Sequence, residues 1–184
     1  MQIERVGDWM QTVSGIQFFP MDPRPEEISI EDIAHHLSNL CRFTGAVRSF
    51  YSVAQHSYLV SLHVPAEFAL QGLLHDATEA YLADLNRPVK HSLGLAGYRE
   101  IERALEIVIM RKFRLPLMLH STVKIADDAV LMAERRDLMS APPGPWSTEH
   151  QAPIAMRIRP WLPEFAKKMF LSRYSALTGE VLRG

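Results

Sequence analysis

Cysteine is nearly absent: Cys41 is the one thiol in 184 residues. That excludes an internal disulfide and a cysteine-rich zinc site, and it suits a reducing cytoplasm. Net charge is absent as well. With 20 Lys+Arg against 21 Asp+Glu the formal charge is -1, so no bulk positive field exists to neutralise the many phosphates of a nucleic-acid duplex. No run approaches the roughly 20 apolar residues that a membrane span requires. The opening MQIERVGDWMQ carries acidic residues where a signal peptide would be uninterruptedly apolar. Internal repeats, low-complexity tracts and linkers are missing, and period-2 alternation hardly occurs. These absences leave an all-α, cytoplasmic chain with neither a membrane nor a nucleic-acid duplex as partner. Its 47% apolar and 22% charged residues suit an ordinary core, and its length suits a single domain over 1–184.

What is present divides into an arm and a run of helices. Residues 1–28 hold Gly15, Pro20, Pro23 and Pro25 around Phe18 and Phe19, which reads as an irregular arm or short hairpin. Ser29 with Asp32 three residues on starts a first helix, and Ile30, Ile33, Ala34, Leu37 and Leu40 carry its period to about Phe43. Cys41 reads as a small buried residue on it. Ser52 and Gln55 form a capping box that places His56 in the first turns of a second helix ending near His63. Residues 66–83 are apolar on nearly every side and predict a central, buried helix stopped by Asn86-Arg87-Pro88. Further helices are expected over about 98–114, 121–139 and 162–177, with a Pro-rich loop between the last two. In all this makes six to seven helices, with a helical core over 29–140 and a loop and last helix over 141–184.

His75 and Asp76 fall on the expected central helix. A bare His-Asp pair reads first as core hydrogen bonding, but a buried carboxylate is costly unless paired or bound to a cation. At 100° per residue Glu79 points between His75 and Asp76. His56 from the second helix and Asp127 or Asp128 from a later one bring further ligands. Two imidazoles with two carboxylates suit Mn, Fe, Co or Zn better than Mg or Ca, which prefer all-oxygen shells.

In order along the chain, Ser52-Val53-Ala54-Gln55-His56-Ser57, His75-Asp76-Ala77-Thr78-Glu79 and Lys124-Ile125-Ala126-Asp127 resemble the HD-domain metal-dependent phosphohydrolases. The resemblance spans roughly residues 7–140 and is nearest the small nucleotide-hydrolysing branch, which includes bacterial 5′-deoxyribonucleotidases and phage dATP triphosphohydrolases of the DatZ type. It implies an HD-domain helical bundle in a bacterial cell or a phage-infected host. It implies His56, His75, Asp76 and Asp127 as metal ligands and Glu79 as the group that positions or deprotonates the attacking water, leaving Asp128 as a partner of a ligand histidine. A metal lowers the pKa of water, and a nearby carboxylate can then take its proton.

The same resemblance reaches the substrate. Arg42-Phe43 is similar to the Arg-Trp pair that holds phosphate and base in the nucleotidases, and Asp84 followed by Pro88-Val89-Lys90 is similar to the segment that reads the sugar. Asp84 is thus expected in the catalytic group, Arg42, Phe43 and Lys90 at the substrate, and Arg48 and Arg87 nearby or as plain surface charge. Gly45-Ala46 departs from the Gly-His pair of many relatives, which puts base specificity in doubt, although Phe18, Phe19 or Met21 of the arm could fill a base pocket. The implied activity is hydrolysis of a deoxynucleoside 5′-monophosphate. The alternatives are a triphosphohydrolase, with an additional Mg on its substrate, and a nucleotide sensor without turnover. The aromatic last helix, with Trp161, Phe165, Met169, Phe170 and Tyr174, serves either a homo-oligomer or the chain's own core.

Overall fold

The computed structural model describes residues 5–182, so the first four residues of the expected arm lie outside it. The arm opens with a hairpin in which β1 (Met10–Gln11) runs antiparallel to β2 (Gln17–Phe18), Met10 opposite Phe18. Gly15 sits in its turn at φ +84°, a conformation that costs glycine no Cβ clash. Ser14 ties the hairpin down: its amide and hydroxyl donate to the buried Asp32 carboxylate at 2.9 and 2.7 Å. Phe18 is fully buried and stacks on Tyr81, centroids 4.3 Å apart. Apart from this two-residue pairing the described chain forms helices and turns.

α1 (Ile30–Asn39) begins at Ser29, whose side chain accepts the Asp32 amide, and buries Ile33, Ala34 and Leu37. Burying Ile33 and Leu37 contributes roughly 1.5–3 kcal/mol each. The helix stops at Asn39, short of Phe43. There the chain turns into an isolated bridge between Cys41 and Ser52, with the Arg42 amide donating to the Tyr51 carbonyl at 2.9 Å. Phe43 and Thr44 then take left-handed φ values of +56° and +53°, which no right-handed helix can continue. Cys41 is half-buried in that bridge and not on a helix.

α2 (Val53–Leu62) is capped by Ser52, which accepts the Gln55 amide at 3.2 Å. The other half of the expected capping box is redirected. The Gln55 carboxamide donates to the Arg159 carbonyl and accepts from the Trp161 amide, both at 2.8 Å, tying α2 to the loop before the last helix. Packed against α1 and three later helices, α2 buries eight of its ten residues. It supplies Val53 and Ala54 to one apolar cluster, and Leu59 and Val60 to another.

The continuous helix expected over 66–83 is broken. A short turn (Ala66–Phe68) leads to α3 (Ala69–Leu74), then a tight turn spans 75–78 before α4 (Glu79–Leu82). The amides of Ala77, Glu79 and Ala80 donate to carbonyls three residues back, a pitch near three residues per turn. Asn86 starts a helix where a stop was expected: its side chain accepts the Val89 amide at 3.2 Å and caps α5 (Arg87–Lys90), Pro88 being tolerated in a first turn. α6 (Ala96–Lys112), α7 (Ser121–Leu138) and α8 (Pro163–Thr178) lie close to their expected bounds. Ala166, Phe170 and Tyr174 of α8 enter the cluster shared with α1, so much of the last helix's bulk packs on its own chain. No helix among the described residues is long and apolar enough to cross a membrane.

Candidate metal centre

His56 lies one turn into α2 and is fully buried. Its Nε2 stands 3.3 Å from His75 Nε2, 3.6 Å from Asp76 Oδ2 and 3.3 Å from Asp127 Oδ1. His75 Nε2 is in turn 3.3 Å from Asp76 Oδ2. Ligand atoms of His56, His75 and Asp76 all fall within 4.8 Å of one another. Three side chains from α2 and the 75–78 turn therefore meet at one spot, and Asp127 of α7 reaches His56 beside them.

The hydrogen-bond accounting shows why a cation fits there. His75 Nδ1 faces the Gly72 carbonyl at 2.9 Å, and His56 Nδ1 faces the Glu134 carboxylate at 2.7 Å. Each partner can only accept, so each Nδ1 carries the proton, and the Nε2 of a neutral ring is a bare lone pair. With both rings neutral, two lone pairs face each other and two carboxylates, an arrangement of acceptors alone. The observed separations also match ligand-to-ligand edges: a tetrahedral cation with bonds of about 2.0–2.1 Å sets its ligands about 3.3 Å apart. The His-His-Asp group thus could hold a metal ion, with Asp127 beside it.

Without a cation the same carboxylates draw a proton instead. Burial and the Arg42 guanidinium both oppose a charged His56, yet Glu134 and Asp127 outweigh them and lift its pKa to about 9, so a bound metal ion would take the place of that proton. Asp127 is held well below the usual carboxylate range: burial works against this, but His56, His75 and Lys124 prevail. Lys124 bonds Asp127 Oδ2 at 2.9 Å and Asp128 Oδ1 at 2.7 Å. Asp128 therefore pairs with a lysine; the carboxylate that partners His56 Nδ1 is Glu134.

Asp76 and Asp127 form part of the floor of an open cleft of about 630 Å³. The broken helix changes how Glu79 reaches it. Near three residues per turn, positions i and i+3 eclipse, so Glu79 follows Asp76 and does not split the angle between His75 and Asp76. Glu79 is 8% exposed, and its Oε2 is buried without a hydrogen-bond partner. Burial, then the neighbouring Asp76 and Asp84, push its pKa well above the carboxylate norm. Burial also raises Asp84, with Arg42 opposing and Asp76 adding.

The cleft brings together every expected substrate residue. Arg42, Phe43, Asp84 and Lys90 line it, and so does Arg87. Arg42 is buried, its two terminal nitrogens 3.4 Å from Asp76 and 3.3 Å from Glu134, with Phe43 beneath its guanidinium at 5.1 Å. Lys90 pairs with Glu102 at 2.6 Å. Arg87 has no acidic partner among the described residues. Arg48 lies elsewhere, donating to the Leu138 and Met139 carbonyls at the C-terminal end of α7. The arm stays out of the cleft as well: Phe18 is in the core, Phe19 lies under Arg5 and Met21 is exposed.

Two contributors were not foreseen. Trp146 reaches the cleft from the Pro-rich loop, its ring 6.4 Å from Phe43 and 5.5 Å from the Arg135 guanidinium. No periodicity points to a residue in such a loop. Glu134 did have a signal: it follows Asp127 by seven residues, two turns on the same helix face. Lacking a motif around it, Glu134 reads like any surface glutamate.

No family model matches the chain. Over 172 residues it is 40% identical to the uncharacterized protein YfdR of Escherichia coli (strain K12), covering 92% of this chain and 96% of that one. An uncharacterized protein of Rhodobacter capsulatus is 37% identical over 127 residues, 64% of each chain.

Proposed function

The chain belongs to the family of Escherichia coli YfdR, and we propose that it is an HD-domain metal-dependent phosphohydrolase acting on deoxynucleotides, a 5′-deoxyribonucleotidase. One observation carries the reading: two imidazole nitrogens and the Asp76 carboxylate converge at ligand spacing, with Asp127 beside His56, beneath a cleft that also holds a buried, unpartnered carboxylate and several cations.

A divalent cation held by His56, His75, Asp76 and Asp127 would supply Lewis acidity toward water and phosphoryl oxygen. The chain's own residues do the rest. Glu79 Oε2, buried at the cleft without a hydrogen-bond partner, is the group placed to take a proton from the attacking water. Arg42, fixed by Asp76 and Glu134, and Arg87 present donors to the phosphate. Asp84 accepts from the sugar, and Phe43 and Trp146 give the base apolar faces.

Arg42, Lys90 and Lys124 already face carboxylates, which leaves Arg87 as the free cation among the described residues lining the cleft. That charge suits one phosphate better than three. The test is product analysis with Mn, Co and Zn on deoxynucleoside mono-, di- and triphosphates. Inorganic phosphate from monophosphates is expected. Release of triphosphate would replace the reading with the triphosphohydrolase one, and tight nucleotide binding without turnover would replace it with a sensor.

A further inference from the structure

Glu134 is fully buried, yet nothing in hydrolysis itself calls for it. One of its carboxylate oxygens takes the proton-bearing Nδ1 of His56 at 2.7 Å; the other takes an Arg42 terminal nitrogen at 3.3 Å. The Tyr51 phenol lies beside the same carboxylate. Local folding explains the convergence. The Cys41–Ser52 bridge closes the 41–52 loop, so Arg42 enters it next to Tyr51 while His56 follows one turn into α2. α7 then delivers Asp127 to one side of the His56 ring and Glu134 to the other.

We propose that Glu134 is a positioning residue that sets the metal ligand and the anion-binding arginine together, an assignment whose catalytic part rests on the phosphohydrolase reading. Oε1 holds His56 in the tautomer that aims the Nε2 lone pair at the metal position. Oε2 holds the Arg42 guanidinium over the cleft, and both functions need an acceptor on each oxygen. A carboxamide has one acceptor and one donor, so Glu134→Gln satisfies His56 or Arg42 but sets an N–H against the other.

The experiment compares the whole protein with Glu134→Gln and Glu134→Ala. Co²⁺ affinity is measured by chelator competition, the visible spectrum of bound Co²⁺ is recorded, and kcat and KM for deoxynucleoside monophosphates are taken at saturating metal. Far-UV circular dichroism identifies variants that keep the fold. Glu134→Ala should bind Co²⁺ about 10- to 100-fold more weakly with an altered spectrum, the range typical of losing a ligand's orienting partner. At saturating metal Glu134→Gln should raise KM more than it lowers kcat. A folded Glu134→Ala with wild-type Co²⁺ affinity and spectrum would overturn the metal half of the assignment, and a folded Glu134→Gln that keeps both wild-type Co²⁺ affinity and wild-type KM at saturating metal would overturn the arginine half. Should the wild type turn over no phosphate ester, the phosphohydrolase reading fails by itself, and Co²⁺ binding still decides whether Glu134 positions His56.

Discussion

At the scale of single residues the centre is governed by which atoms can donate. Gly72 and Glu134 can only accept from the two imidazoles, and that fixes both rings with Nε2 turned inward. Replacing His75 by alanine removes one inward nitrogen and should abolish metal retention. Elemental analysis of the purified variant checks this, and stoichiometric metal in it would contradict the site. Glu79 contributes no ligand atom to the His56, His75 and Asp76 group. Glu79→Gln should therefore keep metal and fold while turnover falls about 10²- to 10⁴-fold, the usual worth of a general base. Unchanged turnover would remove Glu79 from its role.

At the scale of elements, α7 must be held in register against α2 for Asp127 and Glu134 to bracket His56. The loop after α7 does this. Asp137, its side chain 4% exposed, takes two bonds from Arg136 and one each from Arg157 and the Ile158 amide at 2.8 Å. Gln55 then fastens the next residues to α2. Chiefly the Arg136 bonds, then the Ile158 amide and Arg157, hold the Asp137 carboxyl well below its ordinary range against a burial penalty. A depressed folded-state pKa stabilises above the unfolded value of about 3.9 and loses that contribution as pH falls through the folded value. Glu or Asp protonation elsewhere also acts in that window, so the informative quantity is a difference. Asp137→Asn should cost about 1–3 kcal/mol at neutral pH. The gap from wild type should close progressively below about pH 4, as read by urea unfolding at a series of pH values; a constant gap would mean that the charge is irrelevant. The elements also show where pattern reading fails. α7 and α8 were legible because their periods run long and uninterrupted, whereas 66–83 reads as one helix because an apolar composition cannot reveal a change of pitch over 75–78.

At the scale of the whole molecule the centre joins α2, the turn between α3 and α4, and α7, which pack around one point from distant stretches of sequence. A cation there would tie the native arrangement and not the unfolded chain. Chelation should therefore lower the melting temperature, with about 2.7 kcal/mol lost on going from metal at one hundred times its dissociation constant to none. Differential scanning calorimetry with and without chelator reads this directly, and an unchanged transition would argue against any bound metal. The amino-acid sequence by itself determined the helical class, the Ser29 and Ser52 caps, and the ordered residues His56, His75, Asp76, Glu79 and Asp127, because caps and motifs are local and leave their spacing in the chain. Tertiary structure alone decided that Glu134 and not Asp128 orients His56, that Trp146 faces Phe43 across the cleft, and that Arg48 stands apart from it. The physical reason is range: a buried carboxylate is defined by donors 78 and 92 residues away, and no local period records which of them it will meet.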